Sequence, residues 1–211
     1  MAVMHSWIRS MEFLFNLACR IKVGHPTTLK SPEFKLKKSV LQTEFKARVG
    51  IEVFKVKQGC GSSNDGNTAR RFFRHPETPH ILGIEREIVE SLRDLVEMLN
   101  NPKVFPDHIE YQSKAEVLHE MLSSDEYSKF QIAQSVHRLI MHGSTYIRSF
   151  NLPLGMLSES GIEARNKSKR RYRQTFALQG SLSQNVKDTY HRLLLTSDPH
   201  IFMVRKNKNL L

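Results

Sequence analysis

The sequence has few cysteines and no long apolar run. Cys19 and Cys60 are the only cysteines among the 211 residues, too few for a disulfide framework and without the C-x-x-C spacing of a zinc knuckle. Such sparse cysteine use is typical of a reducing compartment, the cytosol or the nucleus. No apolar run approaches the ~18 residues that span a bilayer, so we expect no membrane partner.

Acidic residues are scarce relative to basic ones. The formal charge is +11 and the pI is near 9.8, which favours a polyanionic partner, most often nucleic acid. Residues 1–74 hold 14 Lys/Arg and 5 Asp/Glu (net +9), residues 75–160 hold 7 and 13 (net −6), and residues 161–211 hold 11 and 3 (net +8). Two basic ends around an acidic middle can converge on one nucleic-acid track.

Hydrophobic spacing predicts a mainly α-helical chain, an irregular helical bundle. We divide it into a basic helical segment with a Gly-rich loop at 1–74, an acidic helical insert with a histidine pair at 75–150, and a basic helix followed by a last helix at 151–211. The predicted helices cover residues 4–21, 33–49, 68–74, 83–100, 107–123, 126–142, about 163–173, and 182–196. Ile51–Val56 is compatible with a short strand.

Within these helices, apolar spacing predicts buried faces. We expect Gly143 to terminate the helix at 126–142, since glycine is common just past a helix end. The residues expected inside are Phe34, Val40, Leu41 and Phe45 in the second helix, and Val186, Tyr190, Leu193 and Leu194 in the last.

Residues 158–173, SESGIEARNKSKRRYR, combine one carboxylate with a dense basic run. Glu163 stands at the start of the predicted helix, and a helix places it on one stripe with Asn166, Lys167 and Arg170. Such an arrangement suits metal-assisted chemistry on a phosphate backbone, in which the acid holds a divalent cation and the cations hold the polyanion. The basic residues that follow Glu163 are Arg165, Lys167, Lys169, Arg170, Arg171 and Arg173.

Glu163 also has a structural interpretation. Ser160-x-x-Glu163 fits a capping box, in which both side chains satisfy backbone N–H groups at a helix start. The two roles are compatible, and the sequence leaves both open.

A turn-rich loop, Gly59 to Asn67, precedes a short predicted helix that carries Arg70 and Arg71 near its start. Backbone amides and two arginines at a helix N-terminus can bind phosphate. Loops of this composition also serve as plain connectors.

Three motifs follow one another between residues 137 and 173: His137 to His142 (HRLIMH), then Leu154-Gly155, then Glu163 to Arg173 (EARNKSKRRYR). In this order they resemble the C-terminal catalytic region of the RAG recombinase and its Transib-type transposase relatives, in which an H-x4-H pair precedes a Glu followed by Asn-Lys. Upstream, residues 65–70 (DGNTAR) resemble its G-N-x-A-R segment, and residues 4–8 (MHSWI) resemble its L-H-x-x-I helix.

The resemblance implies the C-terminal helical part of an RNase H-like fold in which two Asp and one Glu hold two Mg²⁺ or Mn²⁺ ions. Glu163 is then the catalytic Glu of that triad and a metal ligand. A nuclear location and a homodimer are further implications. The DNA-binding residues that we expect are Asn67, Arg70, Arg71, Asn166, Lys167, Lys169, Arg170, Arg171 and Arg173.

The pattern is incomplete in two respects. In the family both Asp precede the segment that matches residues 4–8, so we expect that this chain alone does not cleave DNA. The resemblance also implies zinc binding by His137 and His142, but the C-x-x-C that completes such a site is absent and Cys60 is a third ligand by residue type alone. Without the resemblance, two helix histidines are typical of core or surface positions.

Three functions follow from these observations. The first is a remnant of a RAG/Transib-like transposase that binds DNA without sequence specificity, and the second is a fragment of an active enzyme whose acids are encoded upstream. The third, from another class, is a helical nucleic-acid or protein adaptor with no catalytic role, whose acidic middle forms the partner surface.

Overall fold

The computed structural model is mainly α-helical. It describes residues 3–24, 28–57, 61–157, 160–177, 180–196, 198 and 200–201, without the side chains of 3–4, 56–57, 61–62, 157 and 160–165. The chain divides into two compact units, Met1–Ser158 and Glu159–Leu211. The 1–74 and 75–150 segments both lie in the first unit. Among the described residues, no helix is both long enough and apolar enough to cross a bilayer.

The helices and strands of the first unit lie between residues 3 and 157. They are α1 (Val3–Val23), α2 (Pro32–Val49), β1 (Val56–Lys57), β2 (Gly61–Ser62), α3 (Gly66–Arg74), α4 (Thr78–Leu82), α5 (Arg86–Asn100), α6 (His108–Leu122), α7 (Gln134–Ser149) and a 3-10 helix at Leu154–Leu157. The two strands form an antiparallel pair in which Val56 faces Ser62 and Lys57 faces Gly61.

Helix α1 is the centre of the first unit, and the predicted helix at 4–21 is confirmed. It packs against α2, α3, α4, α5 and α7. Trp7, Met11, Leu14 and Phe15 are all at most 2% exposed, and Phe13 on another side is also buried. A helix that is apolar nearly all round is buried on most sides. These side chains therefore pack within the core of one chain.

Aromatic rings join α1 to α2 and α3. Phe15 lies 5.8 Å from Phe45, Phe45 lies 5.1 Å from Phe72, and Trp7 meets Phe73 edge to face at 5.6 Å between ring centroids. Pairs at these separations add stabilisation beyond the area that they bury.

The predicted inner face of α2 is partly wrong. Phe34, Leu41 and Phe45 are buried as expected, but Val40 is 52% exposed. Val40 directly precedes Leu41, so the 100° turn between neighbouring helix residues directs it away from the buried stripe. The segment after α2 buries Ile51 and Val53 without regular secondary structure, and strand pairing in it is limited to Val56–Lys57.

The predicted helix at 83–100 begins later than expected. Gly83 ends α4 in the left-handed conformation, with φ of 68°, and its N–H donates to the Pro79 carbonyl. Helix α5 then begins at Arg86. The apolar face of α5 is buried: Ile88 and Leu92 are at most 2% exposed, as are Leu95 and Leu99 one and two turns further on.

The prediction that Gly143 terminates a helix at 126–142 is wrong. Helix α7 begins at Gln134 and continues through Gly143 to Ser149. A Cβ atom on Gly143 would overlap the ring of Tyr111, which projects from α6 and donates its hydroxyl to the Leu139 carbonyl at 3.0 Å. The glycine is therefore required for the close approach of α6 and α7.

The second unit contains α8 (Ser160–Thr175) and α9 (Leu182–Leu195), which pack against each other. Ser181 caps α9 by accepting a hydrogen bond from the Gln184 N–H at 3.2 Å. The predicted inner face of α9 is largely wrong, since Leu193 is buried but Val186, Tyr190 and Leu194 are 40%, 51% and 69% exposed. One partner helix covers only a narrow stripe, here Thr189 and Leu193.

Candidate nucleic-acid interface

Helix α8 carries five exposed cations. Lys167, Lys169, Arg170, Arg171 and Arg173 are all exposed, as is the neighbouring Asn166. No ion pair between described residues involves any of these five cations, whereas Arg48, Lys55 and Lys114 in the first unit are paired with Glu77, Glu52 and Glu110. Cations without a carboxylate partner keep their full attraction for phosphate oxygens.

Three cations of the second unit lie over aromatic rings. The Lys169 ammonium lies 5.4 Å from the centre of the Tyr190 ring. The guanidiniums of Arg171 and Arg192 lie 5.9 and 5.0 Å from the centre of the Phe176 ring. Cation–π contacts at these distances orient a cation and leave its charge intact.

Sequence reasoning found the cations of α8 but missed Phe176, Tyr190 and Arg192. The alternation of Tyr172 and Phe176 with basic residues was the available signal, since basic and aromatic residues together are typical of nucleic-acid surfaces. The contribution of α9 depends on how two helices pack, which a local pattern does not contain.

Glu163 lies in the first turn of α8, and its side chain is outside the described residues. Both predictions for it, the metal-binding carboxylate and the capping box with Ser160, therefore stay predictions. The helix predicted at about 163–173 is present as Ser160–Thr175.

Asn67, Arg70 and Arg71 lie on α3, at the edge of the first unit's core. Asn67 is exposed. The guanidinium of Arg70 lies 5.7 Å from the centre of the Trp7 ring, and that of Arg71 makes long hydrogen bonds of 3.4 Å to the carbonyls of Val49 and Gly50 at the end of α2. Both arginines thus have intramolecular contacts.

The start of α3 is already occupied by a carboxylate. Asp65 caps the helix and accepts a hydrogen bond from the Thr68 N–H at 2.7 Å. A phosphate bound at the start of α3 would have to displace the Asp65 carboxylate or bind beside it against charge repulsion. DNA binding by these α3 residues stays a prediction, and the geometry favours a structural use of this helix end.

His137 and His142 are neighbours on α7, both exposed, with ring centroids 6.1 Å apart. The two rings approach each other although they lie five residues apart on a continuous helix. Among the residues that the structure describes, no three His, Cys, Asp or Glu side chains form a group that could hold a metal ion. The pair supplies two of the about four ligands of a structural zinc site, and Cys60 is outside the described residues.

Cys19 is the cysteine that the structure describes, and it is fully buried in α1. Burial raises the pKa of its thiol to about 11, against the smaller opposing effects of Lys38, Lys22 and Arg20. A neutral, buried thiol is a poor nucleophile and a poor metal ligand. Cys19 is therefore a core residue.

Comparison with protein-family models and with curated proteins gives no match to this chain. The RAG/Transib resemblance accordingly stays a prediction based on short motifs. The exposed cations of α8 are the feature from which a function can be argued.

Proposed function

We propose that this chain binds DNA through the exposed cations of α8 and that it is a remnant or fragment of a RAG/Transib-like transposase. The exposed cations of α8, which form no ion pair with any carboxylate that the structure describes, carry the proposal. Five of them lie within the seven residues 167–173. Exposed cations of this kind contact phosphates and not base edges, so we expect binding without sequence preference.

The order of motifs supports the transposase origin. Two of them, residues 4–8 and 65–70, are far apart in sequence but meet in the first unit, where Arg70 contacts the ring of Trp7. Such a contact is the expected outcome if the two segments belong to one ancestral fold.

We propose no cleavage by these 211 residues alone. Two-metal phosphoryl chemistry requires a cluster of carboxylates around both ions. Glu163 would supply one carboxylate, whereas Asp65 and Asp107 cap helices and Asp94 pairs with Arg93.

The salt dependence of DNA binding tests the proposal. Each phosphate contact contributes about 0.9 to the slope of log affinity against log salt concentration. Replacing Lys167 and Arg170, which share one side of α8, with alanine is expected to reduce the slope for duplex DNA by about 2.

A control with the same change in net charge separates contact from general attraction. Arg86 is an exposed and Lys114 a partly exposed cation of the first unit, and they pair with Glu90 and Glu110 at 3.6 and 3.2 Å. The Arg86→Ala, Lys114→Ala variant is expected to retain the wild-type slope. Equal slopes for all three proteins, or equal losses in both variants, would refute binding through α8.

The adaptor hypothesis is the second candidate. Helix α6 exposes Ile109 and Val117, at 68% and 51%, among the exposed carboxylates of Glu110, Glu116 and Glu120. A mixed apolar and acidic surface suits a basic protein partner. In that case the Lys167→Ala, Arg170→Ala variant would bind DNA as the wild type does, and Ile109→Ser would abolish partner binding.

A further inference from the structure

A cavity of about 380 Å³ lies between α8 and α9 of the second unit. Its walls combine cations, aromatic rings and a short apolar side, and none of the described residues that line it is a carboxylate. The residues that line it are Arg171, Tyr172, Phe176, Arg192, Leu195 and Thr196.

The ring of Phe176 contacts three of the other residues that line this cavity. It is 43% exposed, it lies 6.2 Å from Tyr172 in a tilted arrangement, and two guanidiniums approach it. An exposed phenylalanine between two cations has a π-face for a planar ring and positive charge for an anion attached to that ring.

A second cation–aromatic pair joins the same two helices. Lys169 of α8 contacts Tyr190 of α9, whose ring is 51% exposed. Among all the residues of this unit whose side chains the structure describes, including those of the cavity, there are seven Lys/Arg and two Asp. The unit therefore has two exposed aromatic surfaces in a strongly positive environment.

We infer that the cavity between α8 and α9 binds an unpaired segment of single-stranded DNA, with a base stacked on Phe176 and the adjoining phosphates on Arg171 and Arg192. This inference rests on the proposed DNA-binding function of α8 and specifies the substrate class. Bases of a duplex are stacked on one another and their faces are not available, whereas every unpaired base presents a π-face.

Arginine has two uses at such a site. A guanidinium plane can stack on a base, and it can also pair with a phosphate through two parallel hydrogen bonds. Neither Arg171 nor Arg192 takes part in an ion pair with any residue that the structure describes. Both side chains can therefore turn from the Phe176 ring to an incoming strand without breaking an ion pair with a described residue.

The test compares an oligothymidylate of about 12 nucleotides, a length within the range that single-strand sites cover, with a duplex of the same length. Phe176→Leu retains an apolar side chain but removes the π-face. Stacking on one aromatic ring corresponds to an expected loss of about 5- to 150-fold in affinity for the single strand. Duplex affinity and its salt slope are expected to stay unchanged.

Phe150→Leu is the matched control, because Phe150 is 41% exposed and lies in the first unit. It is expected to change neither affinity. Unchanged single-strand affinity in Phe176→Leu, an equal loss on both substrates, or tighter binding of the wild type to oligouridylate than to oligothymidylate would overturn the inference.

The two proposals fail in different ways. If Phe176→Leu has no effect while Lys167→Ala, Arg170→Ala still lowers the duplex salt slope, the stacking site is refuted and the function of α8 stands. If the wild type shows no duplex binding that depends on salt, the proposed function itself is refuted. Circular dichroism of each variant confirms that α8 and α9 are retained.

Discussion

Gly143→Ala tests the close packing of α6 against α7. The added methyl group would overlap the ring of Tyr111, which is fully buried. Overpacking costs about 1–3 kcal/mol, and displacing the ring also breaks the Tyr111–Leu139 hydrogen bond, at about 1–3 kcal/mol for a buried hydroxyl. Alanine regains about 1 kcal/mol of helix propensity, so the net loss of unfolding free energy is about 1–5 kcal/mol.

Urea unfolding followed by tryptophan fluorescence measures this loss in the first unit. Trp7 is the sole tryptophan of the chain and is 2% exposed, so its emission reports the core around α1. We expect a lower urea midpoint with an unchanged slope. Thr145→Ala, an exposed position on the same helix, is the control and should change stability by no more than about 0.5 kcal/mol.

A second substitution at the α6–α7 contact identifies the cause of the stability loss in Gly143→Ala. Tyr111→Leu removes the ring that the Gly143→Ala methyl group meets, so the double variant should lose less stability than the sum of the two single variants. A wild-type or higher midpoint for Gly143→Ala would refute the packing argument, because helix propensity would then outweigh the overlap.

Two further predictions concern the first unit. The Asn64 side chain accepts a hydrogen bond at 2.8 Å from the N–H of Phe54, whose backbone is left-handed with φ of 57°. Asn64→Ala removes this acceptor, so we expect the free energy of unfolding, measured by Trp7 fluorescence in urea, to fall by about 1–3 kcal/mol. An unchanged urea midpoint would contradict this prediction. In a Cys60→Ser variant, the buried Cys19 thiol, with its pKa raised to about 11, should resist alkylation at pH 8 until urea unfolds the chain; rapid labelling of the native protein would contradict its burial.

Long, strongly periodic helices could be predicted from the sequence, and contacts between distant residues could not. The apolar faces of α1 and α5 repeat over several turns, and their helices are confirmed. Gly143 has the local signature of a helix end, but its role depends on Tyr111, which lies 32 positions earlier in the chain. A glycine required for close approach and a glycine that ends a helix look alike in one sequence.

The same limit applies to the last helix and to the candidate site. The spacing of Val186, Tyr190 and Leu194 shows that one face of α9 is apolar, but a sequence pattern does not tell whether another element covers that face. The basic run of α8 is visible directly because all its members are contiguous. The contact between Phe176 and Arg192 is not, because it forms only when α8 and α9 pack together.

Lysine acetylation, measured by mass spectrometry with and without duplex DNA, tests most directly whether α8 is the DNA-binding surface. The lysines of α8 and of the acidic middle, Lys167, Lys169, Lys103 and Lys129, are all exposed, so each should react in the free protein. We predict that DNA protects Lys167 and Lys169 and leaves Lys103 and Lys129 reactive. Full reactivity of Lys167 and Lys169 at saturating DNA would contradict the account.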